Sequence, residues 1–336
     1  MSSDAGVRVA AAGSSRTIGR ILGERGRAAF GAHVVGGALW REVTDARHAE
    51  SLERMAEATR ARFPWIWEEI AGLAEGLDLP LGDVFAWNCR GDLLASVPDG
   101  CTSVMLPGRW SNRLGHNEDG LPALRGHCFF ARIQDHERPG VSVFCYPGSI
   151  AGHTFAITQA GLAQTVNNLR LLGVRPCIPR MVLSRAVLAA ETLTDALAAI
   201  GAEPESGGFH LALARKGERR LLSVEFGGGR ISVHPVREAQ AHANHALRLG
   251  VAQRVTESSR ARQERGEDLL RLGLRSPFHI LCDKTGTLPI FRDSPDDPDE
   301  ENTLASVQLR IDDRHVWLRA TIRDGESGHD VTESWP

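Results

Sequence analysis

One change of period divides this 336-residue chain and limits what it can fold into more than any other feature. From residue 15 to about 95 the apolar positions recur at helical spacing, and after Pro98-Asp99-Gly100 they recur at strand spacing. Within 47–62, Leu52, Met55 and Ala56 share one side and the charges the other. Pro64 opens a further helix in which Trp65, Ile66, Ile70, Leu73 and Leu77 recur three and four apart. Glu68, Glu69 and Glu75 are expected to face outward from it, and Pro80 and Gly82 to end it. A chain so divided reads as α+β, with helices gathered against a sheet-rich remainder.

The strand-like runs are 102–106, 128–133, 141–146, 153–158 and 162–166, separated by Gly or Pro turns, which predicts hairpins. A helix pair follows at 179–190 and 194–200, the second with a Thr194 cap and Asp195 in its first turn. Strands return at 209–214, 221–226 and 231–236. Ser258 or Ser259 is the expected cap of a last long helix through Leu272, and 304–309 with 316–320 form a closing strand pair. Gly227-Gly228-Gly229 lies between two strands and before no helix, so it reads as a hairpin turn and not a phosphate cradle. Residues 295–301 carry two prolines and five acidic residues and read as a solvated loop.

Charge excludes some functions. With 39 Lys and Arg against 42 Asp and Glu, the net charge of -3 argues against nucleic acid as a partner. The apolar stretch at 7–12 contains Arg8 and falls far short of the roughly 20 residues a spanning helix needs, so no membrane association and a cytoplasmic protein are expected. Six cysteines without a C-x-x-C pair suggest neither a disulfide framework nor a zinc ribbon. His242 and His245 bracket Asn244, and His116 precedes Asp119 by three. Residues at that spacing on a strand point to opposite faces, so no metal site is expected.

Asp99-Gly100-Cys101-Thr102-Ser103 stands where the period changes. A thiol there would begin a strand at a sheet edge, where exposure is expected, although an isolated cysteine is more commonly a small buried hydrophobe.

Further fragments follow one another along the chain. They are Ile18-Gly19 before the first helix, Phe63-Pro64 with Glu68-Glu69-Ile70 and Gly72-Leu73-Ala74-Glu75-Gly76, and Asn88 with Arg90. After the cysteine come Gly115-His116-Asn117-Glu118-Asp119, Ala160-Gly161-Leu162 leading to Asn167, and Arg175-Pro176 before Pro179. Val224-Glu225-Phe226, His242-Ala243-Asn244-His245, Ser259 three before Arg262, and Thr303-Leu304 complete the series. In this order they resemble the isopenicillin N acyltransferase-like proteins, the acyl-CoA:6-aminopenicillanic acid acyltransferase family of self-cleaving cysteine N-terminal-nucleophile (Ntn) hydrolases.

The resemblance implies an αββα four-layer sandwich with two mainly antiparallel sheets, formed by 1–336 as one domain. It also implies scission of Gly100-Cys101, leaving a helical 1–100 fragment bound to a nucleophile-bearing 101–336 fragment. Cys101 would be the nucleophile of both self-cleavage and turnover, and its new α-amine, of pKa about 7.7–8.0, would supply a base within the same residue. Gly100 leaves its carbonyl open to attack. Ser103 matches a position used in processing, though it also reads as a strand hydroxyl bonded to a neighbour. Asp119 would hold the new ammonium, although Asp-Gly also suits a turn. Asn244 would donate to the oxyanion. Asn117, Asn167, His245 and Arg262 would line or back the pocket, with a helix-surface charge as the other reading of Arg262.

The implied substrate is a small N-acyl amide, with acyl-CoA a possible donor, and neither a metal nor an organic cofactor is required. Two departures bear on this. Asp299-Glu300-Glu301-Asn302 replaces the family's Ser-Arg pair, which removes an arginine and would favour a cationic substrate. Gly207 or Gly208 replaces a serine. Amide cleavage with water or a small amine as acceptor is therefore expected ahead of transfer to a penicillin nucleus. An Ntn scaffold without catalysis and a Cys-His thiol acyltransferase without self-cleavage are the rival readings, and sequence places none of the 13 histidines beside Cys101.

Overall fold

The computed structural model describes residues 7–95, 97, 100–294, 296–324 and 327–336. Pro98, Asp99 and Pro295 therefore lie outside the described residues. The chain begins with β1 (Arg8–Gly13), then α1 (Ser15–His33), α2 (Ala38–Val43), α3 (Ala49–Arg62), α4 (Pro64–Leu77), α5 (Leu81–Asn88) and α6 (Arg90–Leu93). Strands β2 (Gly100–Leu106), β3 (Ser111–Gly120), β4 (Phe129–Asp135), β5 (Val141–Cys145), β6 (Phe155–Thr158) and β7 (Leu162–Leu169) follow. Helices α7 (Arg180–Val187) and α8 (Leu193–Ile200) precede β8 (Gly208–Arg215), β9 (Leu221–Gly227), β10 (Arg230–Pro235) and β11 (Gln240–His242). The chain closes with α9 (Glu257–Arg271), α10 (Pro277–Leu281), β12 (Asn302–Asp312), β13 (Val316–Asp324) and β14 (Ser327–Trp335).

Two sheets result, in the orders β1-β4-β5-β6-β7-β8-β9-β10 and β11-β2-β3-β12-β13-β14. All pairings are antiparallel except β1 with β4. The alternation along β7 sets the layers, because a strand sends successive side chains to opposite faces. Thr165 and Asn167 reach Ser103 on β2 of the second sheet, while Gln164 reaches Ser184 on α7. Helices α1 and α8 pack on the first sheet, α7 reaches it through Ser184 and α4 packs on α1 and α7, and α9 and α10 pack on β2, β3, β11 and β12 of the second. The architecture is the αββα sandwich, of α+β class. None of the described helices is long and apolar enough to cross a membrane.

Several expectations are corrected by packing. The 7–12 stretch is a strand, and Ile18-Gly19 lies inside α1. Asp78, in the left-handed conformation, ends α4, whereas Pro80 caps α5. Thr192 caps α8 because only it stands three before Asp195 and can exchange bonds in a capping box. Thr256 caps α9, which turns Ser258 and Ser259 inward. Glu69 does not face water: it is buried and held by Arg185 of α7, Nη2 to Oε2 at 2.8 Å. The Gly227-Gly228-Gly229 hairpin is present, each glycine at positive φ.

Helices α1 and α4 meet backbone to backbone. A Cβ added at Gly19 would lie 1.9 Å from the Glu69 carbonyl oxygen, and one at Gly72 would lie 1.9 Å from that of Arg16. Gly23 and Gly76 repeat the contact one turn on. Gly72→Ala should therefore separate the helices despite alanine's better helix propensity, lowering stability by about 1–3 kcal/mol in chemical denaturation.

Candidate active site

The site is built on parity between β2 and β3. Gly100 pairs with Asp119, Cys101 with Glu118, Thr102 with Asn117 and Ser103 with His116. Directly opposed residues share a face, so Cys101, Ser103, His116 and Glu118 turn toward the first sheet, and Thr102, Asn117 and Asp119 turn toward α9 and α10.

Cys101 is not at an exposed sheet edge. It is 3% exposed, in a strand flanked by β3 and β11. Strand β11 ends at His242, opposite Ser103, so the backbone ladder stops short of Cys101. The side chain of Asn244 takes over: the Cys101 N–H donates to its Oδ1 at 2.8 Å. Arg262 Nη2 donates to the same oxygen at 2.7 Å. Two donors converging there fix the amide orientation, and Nδ2 then donates to the Asn168 carbonyl at 3.1 Å. Ser259 Oγ anchors Asn244 through its N–H and also meets half-buried His245 Nδ1, each at 2.8 Å.

Arg262 is 1% exposed and so is not a helix-surface charge. Its guanidinium also donates to the Cys101 carbonyl and to Thr102 Oγ1. Asp119 lies within β3 and not in a turn, and it faces the Arg262 side of the strand. Thr303 Oγ1 donates to its Oδ1 at 2.7 Å, and its buried Oδ2 has no hydrogen-bond partner among the described residues. Burial raises the Asp119 pKa, opposed by the charges of Arg262 and Arg292.

On the inner face Ser103 Oγ meets Asn167 Oδ1 at 2.7 Å, His116 Nδ1 at 2.8 Å and Thr165 Oγ1 at 3.0 Å. His116 Nε2 lies 3.0 Å from Glu118 Oε2, Tyr146 donates to Glu118 Oε1 at 2.9 Å, and Cys101 Sγ lies 3.8 Å from Glu118 Oε2. Burial lowers the His116 pKa to about 3, leaving a neutral imidazole. Cys101, His116 and Glu118 are buried ligand types close enough to share a small cation, a cluster different from the histidine pairs considered in the sequence. Asn117 points away, donating to the Leu281 carbonyl at 2.8 Å and accepting from Ser306, so it ties the 281–290 segment to β3 and does not reach Cys101.

Sequence reasoning gave no role to Glu118, Arg292 or Arg170. The loop at 295–301 is not simply solvated, because fully buried Arg292 binds Asp297 and Glu301, and Arg170 reaches Glu301 Oε1 at 3.3 Å. Asp297 and Glu301 are thus neutralised from within the protein. Glu301 also explains Gly100, where an added Cβ would lie 2.1 Å from Oε2.

Burial lifts the Glu301 pKa from the usual 4.5 to about 7 against the pull of Arg292 and Arg170. The folded state thus holds the proton more tightly, and this residue's contribution to stability falls as pH rises from 4.5 to about 7. Denaturation midpoints of wild type and Glu301→Gln should diverge across that window in favour of the variant. Arg262→Gln should cost about 3–5 kcal/mol in the same assay, since it deprives buried Asp119 of the larger of the two positive charges acting on it.

The sequence is similar to known proteins over much of its length. The profile of the acyl-coenzyme A:6-aminopenicillanic acid acyl-transferase family matches residues 109–323, a segment that begins beyond Cys101 and includes Asp119, Asn167, Asn244 and Arg262. A β-alanyl-dopamine/carcinine hydrolase of Drosophila melanogaster is 24% identical over 235 residues, covering 62% of this chain and 59% of that protein. The 40 kDa form of the acyl-coenzyme A:6-aminopenicillanic-acid-acyltransferase of Emericella nidulans is 27% identical over 136 residues, covering 40% and 38%. The chain thus spans less than two thirds of the curated relatives it matches. Among solved structures, a Caenorhabditis elegans N-acylethanolamine-hydrolyzing acid amidase ortholog aligns with TM-score 0.43 and 10% identity over 62% of this chain and 92% of that one. A mutant of the conjugated bile acid hydrolase from Clostridium perfringens aligns with TM-score 0.39 and 10% identity over 70% and 96%. By the extent of the profile match, the chain belongs to the acyl-coenzyme A:6-aminopenicillanic acid acyl-transferase family.

Proposed function

We propose that this protein is a cysteine amide hydrolase or acyltransferase that cleaves its own Gly100-Cys101 bond and then works through a Cys101 acyl-thioester on a small N-acyl amide. The observation that carries this reading is the convergence on one residue of Asn244 at the nitrogen, Arg262 at the carbonyl and Glu118 at the sulfur. Attack of the Cys101 sulfur on the Gly100 carbonyl forms a thioester and frees the Cys101 nitrogen, and water releases the 1–100 fragment. The nitrogen gains protons in this step, and the Asp119 oxygen that has no donor among the described residues of the uncut chain is suited to accept one. In turnover the α-amine takes the thiol proton, the sulfur attacks the substrate carbonyl, and the amine product leaves. Asn244 Nδ2, which spends one N–H on Asn168, has the other for the oxyanion.

Hydrolysis is favoured over transfer to a penicillin nucleus. Gly207 and Gly208 are closely walled, with an added Cβ 2.4 Å from the Gly91 carbonyl oxygen or 2.6 Å from Leu171, so no side chain is accommodated where the family carries serine. The hydrolase relative's name makes β-alanyl amides the first substrates to try.

Intact-mass analysis under denaturing conditions should find two pieces, 1–100 and 101–336, in the wild type and one uncut chain in Cys101→Ala. A single wild-type chain would move the scaffold and Cys-His readings ahead. Asn244→Ala should fold and turn over about 10²–10³-fold more slowly, and full activity would remove the oxyanion assignment.

A further inference from the structure

Residues three apart on a strand cannot share a metal, but residues two apart can, and so can residues paired directly across two strands. His116 and Glu118 stand two apart on β3, and Cys101 lies opposite Glu118 on β2, so imidazole, carboxyl and thiol meet on the inner face. We propose that Cys101 Sγ, His116 Nε2 and Glu118 Oε2 form a site for one zinc ion, and that the ion, by holding the sulfur, keeps the chain inactive. Binding stands without the reading of Cys101 as nucleophile, whereas the loss of activity rests on it.

The three ligand atoms lie within 4.8 Å of one another, with Sγ 3.8 Å and Nε2 3.0 Å from Oε2. Zinc bonds of about 2.0–2.3 Å give a tetrahedron edges of about 3.4–3.6 Å, and the two separations fall on either side of that range. The hydrogen bonds leave the right atoms facing inward. Asn167 Nδ2 donates to the His242 carbonyl, so Asn167 Oδ1 is an acceptor and takes the Ser103 hydroxyl proton. Neutral His116 therefore carries its N–H on Nδ1, donating to Ser103 Oγ, and Nε2 keeps its lone pair. Glu118 holds a proton on Oε2 that it donates to Nε2.

Binding balances. Zinc takes the place of the Glu118 proton and the thiol proton, both of which leave to water, so two charges replace two and the buried cluster keeps its net charge. The atoms that do not touch the ion orient those that do: His116 Nδ1–H stays on Ser103, and Tyr146 stays on Glu118 Oε1. A thiolate with an imidazole and a carboxylate suits zinc, whereas magnesium and calcium call for oxygen donors. Three protein ligands leave the fourth position of the tetrahedron to water.

The test titrates zinc into purified full-length protein, stripped of metal under reducing conditions, against a chromophoric chelator, with its cut or uncut state read by intact mass. Wild type should bind about one equivalent, and magnesium should not compete. Cys101→Ala, His116→Phe and Glu118→Gln should each weaken binding by more than the about 10–100-fold that loss of a ligand's supporting partner costs. Cobalt in place of zinc should give a sulfur-to-metal charge-transfer band in wild type and none in Cys101→Ala. Wild-type affinity in Cys101→Ala would overturn the site and leave the amide-cleaving reading untouched. Scission and amide turnover should stop at one equivalent and return with chelator, and undiminished activity of the loaded chain would overturn the inactivation. A stripped chain that binds zinc but neither cuts itself nor turns over would overturn the nucleophile reading and not the site. Should the variants fail to fold, X-ray absorption of zinc-loaded wild type decides: one sulfur at about 2.3 Å among nitrogen and oxygen at about 2.0–2.2 Å supports the site, and a shell without sulfur overturns it.

Discussion

Buried Arg262 is the contact around which the second sheet and its helices are arranged. A fully buried guanidinium must spend its donors on specific acceptors, because no water replaces them. Here they go to the Cys101 carbonyl, Thr102 and Asn244, so one side chain from α9 sets the end of β2 and the segment after β11 together. Its charge is offset by Asp119 and Glu301, and burial still draws its pKa down. Arg292 and Arg170 extend the arrangement, each reaching Glu301. Two further arginines thus serve this locus, from the loop before β12 and from just beyond β7.

Strand parity separates two chemistries across one pair of strands. The inner face carries thiol, hydroxyl, imidazole and carboxyl in an unbroken hydrogen-bonded line, whereas the outer face carries the ion network. A one-residue slip of β3 against β2 would exchange them. Asn117 resists such a slip by holding the carbonyls of Leu281 and Ile290 and accepting from Ser306, which is a structural duty for a residue whose motif suggested the pocket.

Much of the fold was legible because its signals are local. The helical first segment, most strands and the triple-glycine hairpin follow from period and turn chemistry. Strand β3 escaped because Ser111-Asn112-Arg113 and Gly115-His116-Asn117-Glu118-Asp119 lack the apolar alternation of an ordinary strand. Both of its faces are buried against polar partners, so the usual contrast between inside and outside is absent from the residues themselves. Missing β3 hid Glu118, since its pairing with Cys101 is visible only once the register is known. Arg292 escaped for a different reason: its partners lie in an acidic loop whose composition imitates a solvated segment, and only tertiary packing reveals that the acids surround a cation. Cys101, Asp119 and Asn244 could be singled out because short motifs carry them.

Strand β1 has a consequence for the identity of the molecule as one body. Among the described residues it is the only strand of the first sheet drawn from before residue 100, and it runs parallel to β4 with six registered pairs. Were the backbone severed at residue 100, the severed ends would belong to two polypeptides sharing a sheet and a core, so the division would be chemical without being physical. Dilution could not part them, because the surface that each would expose is interior and not interface.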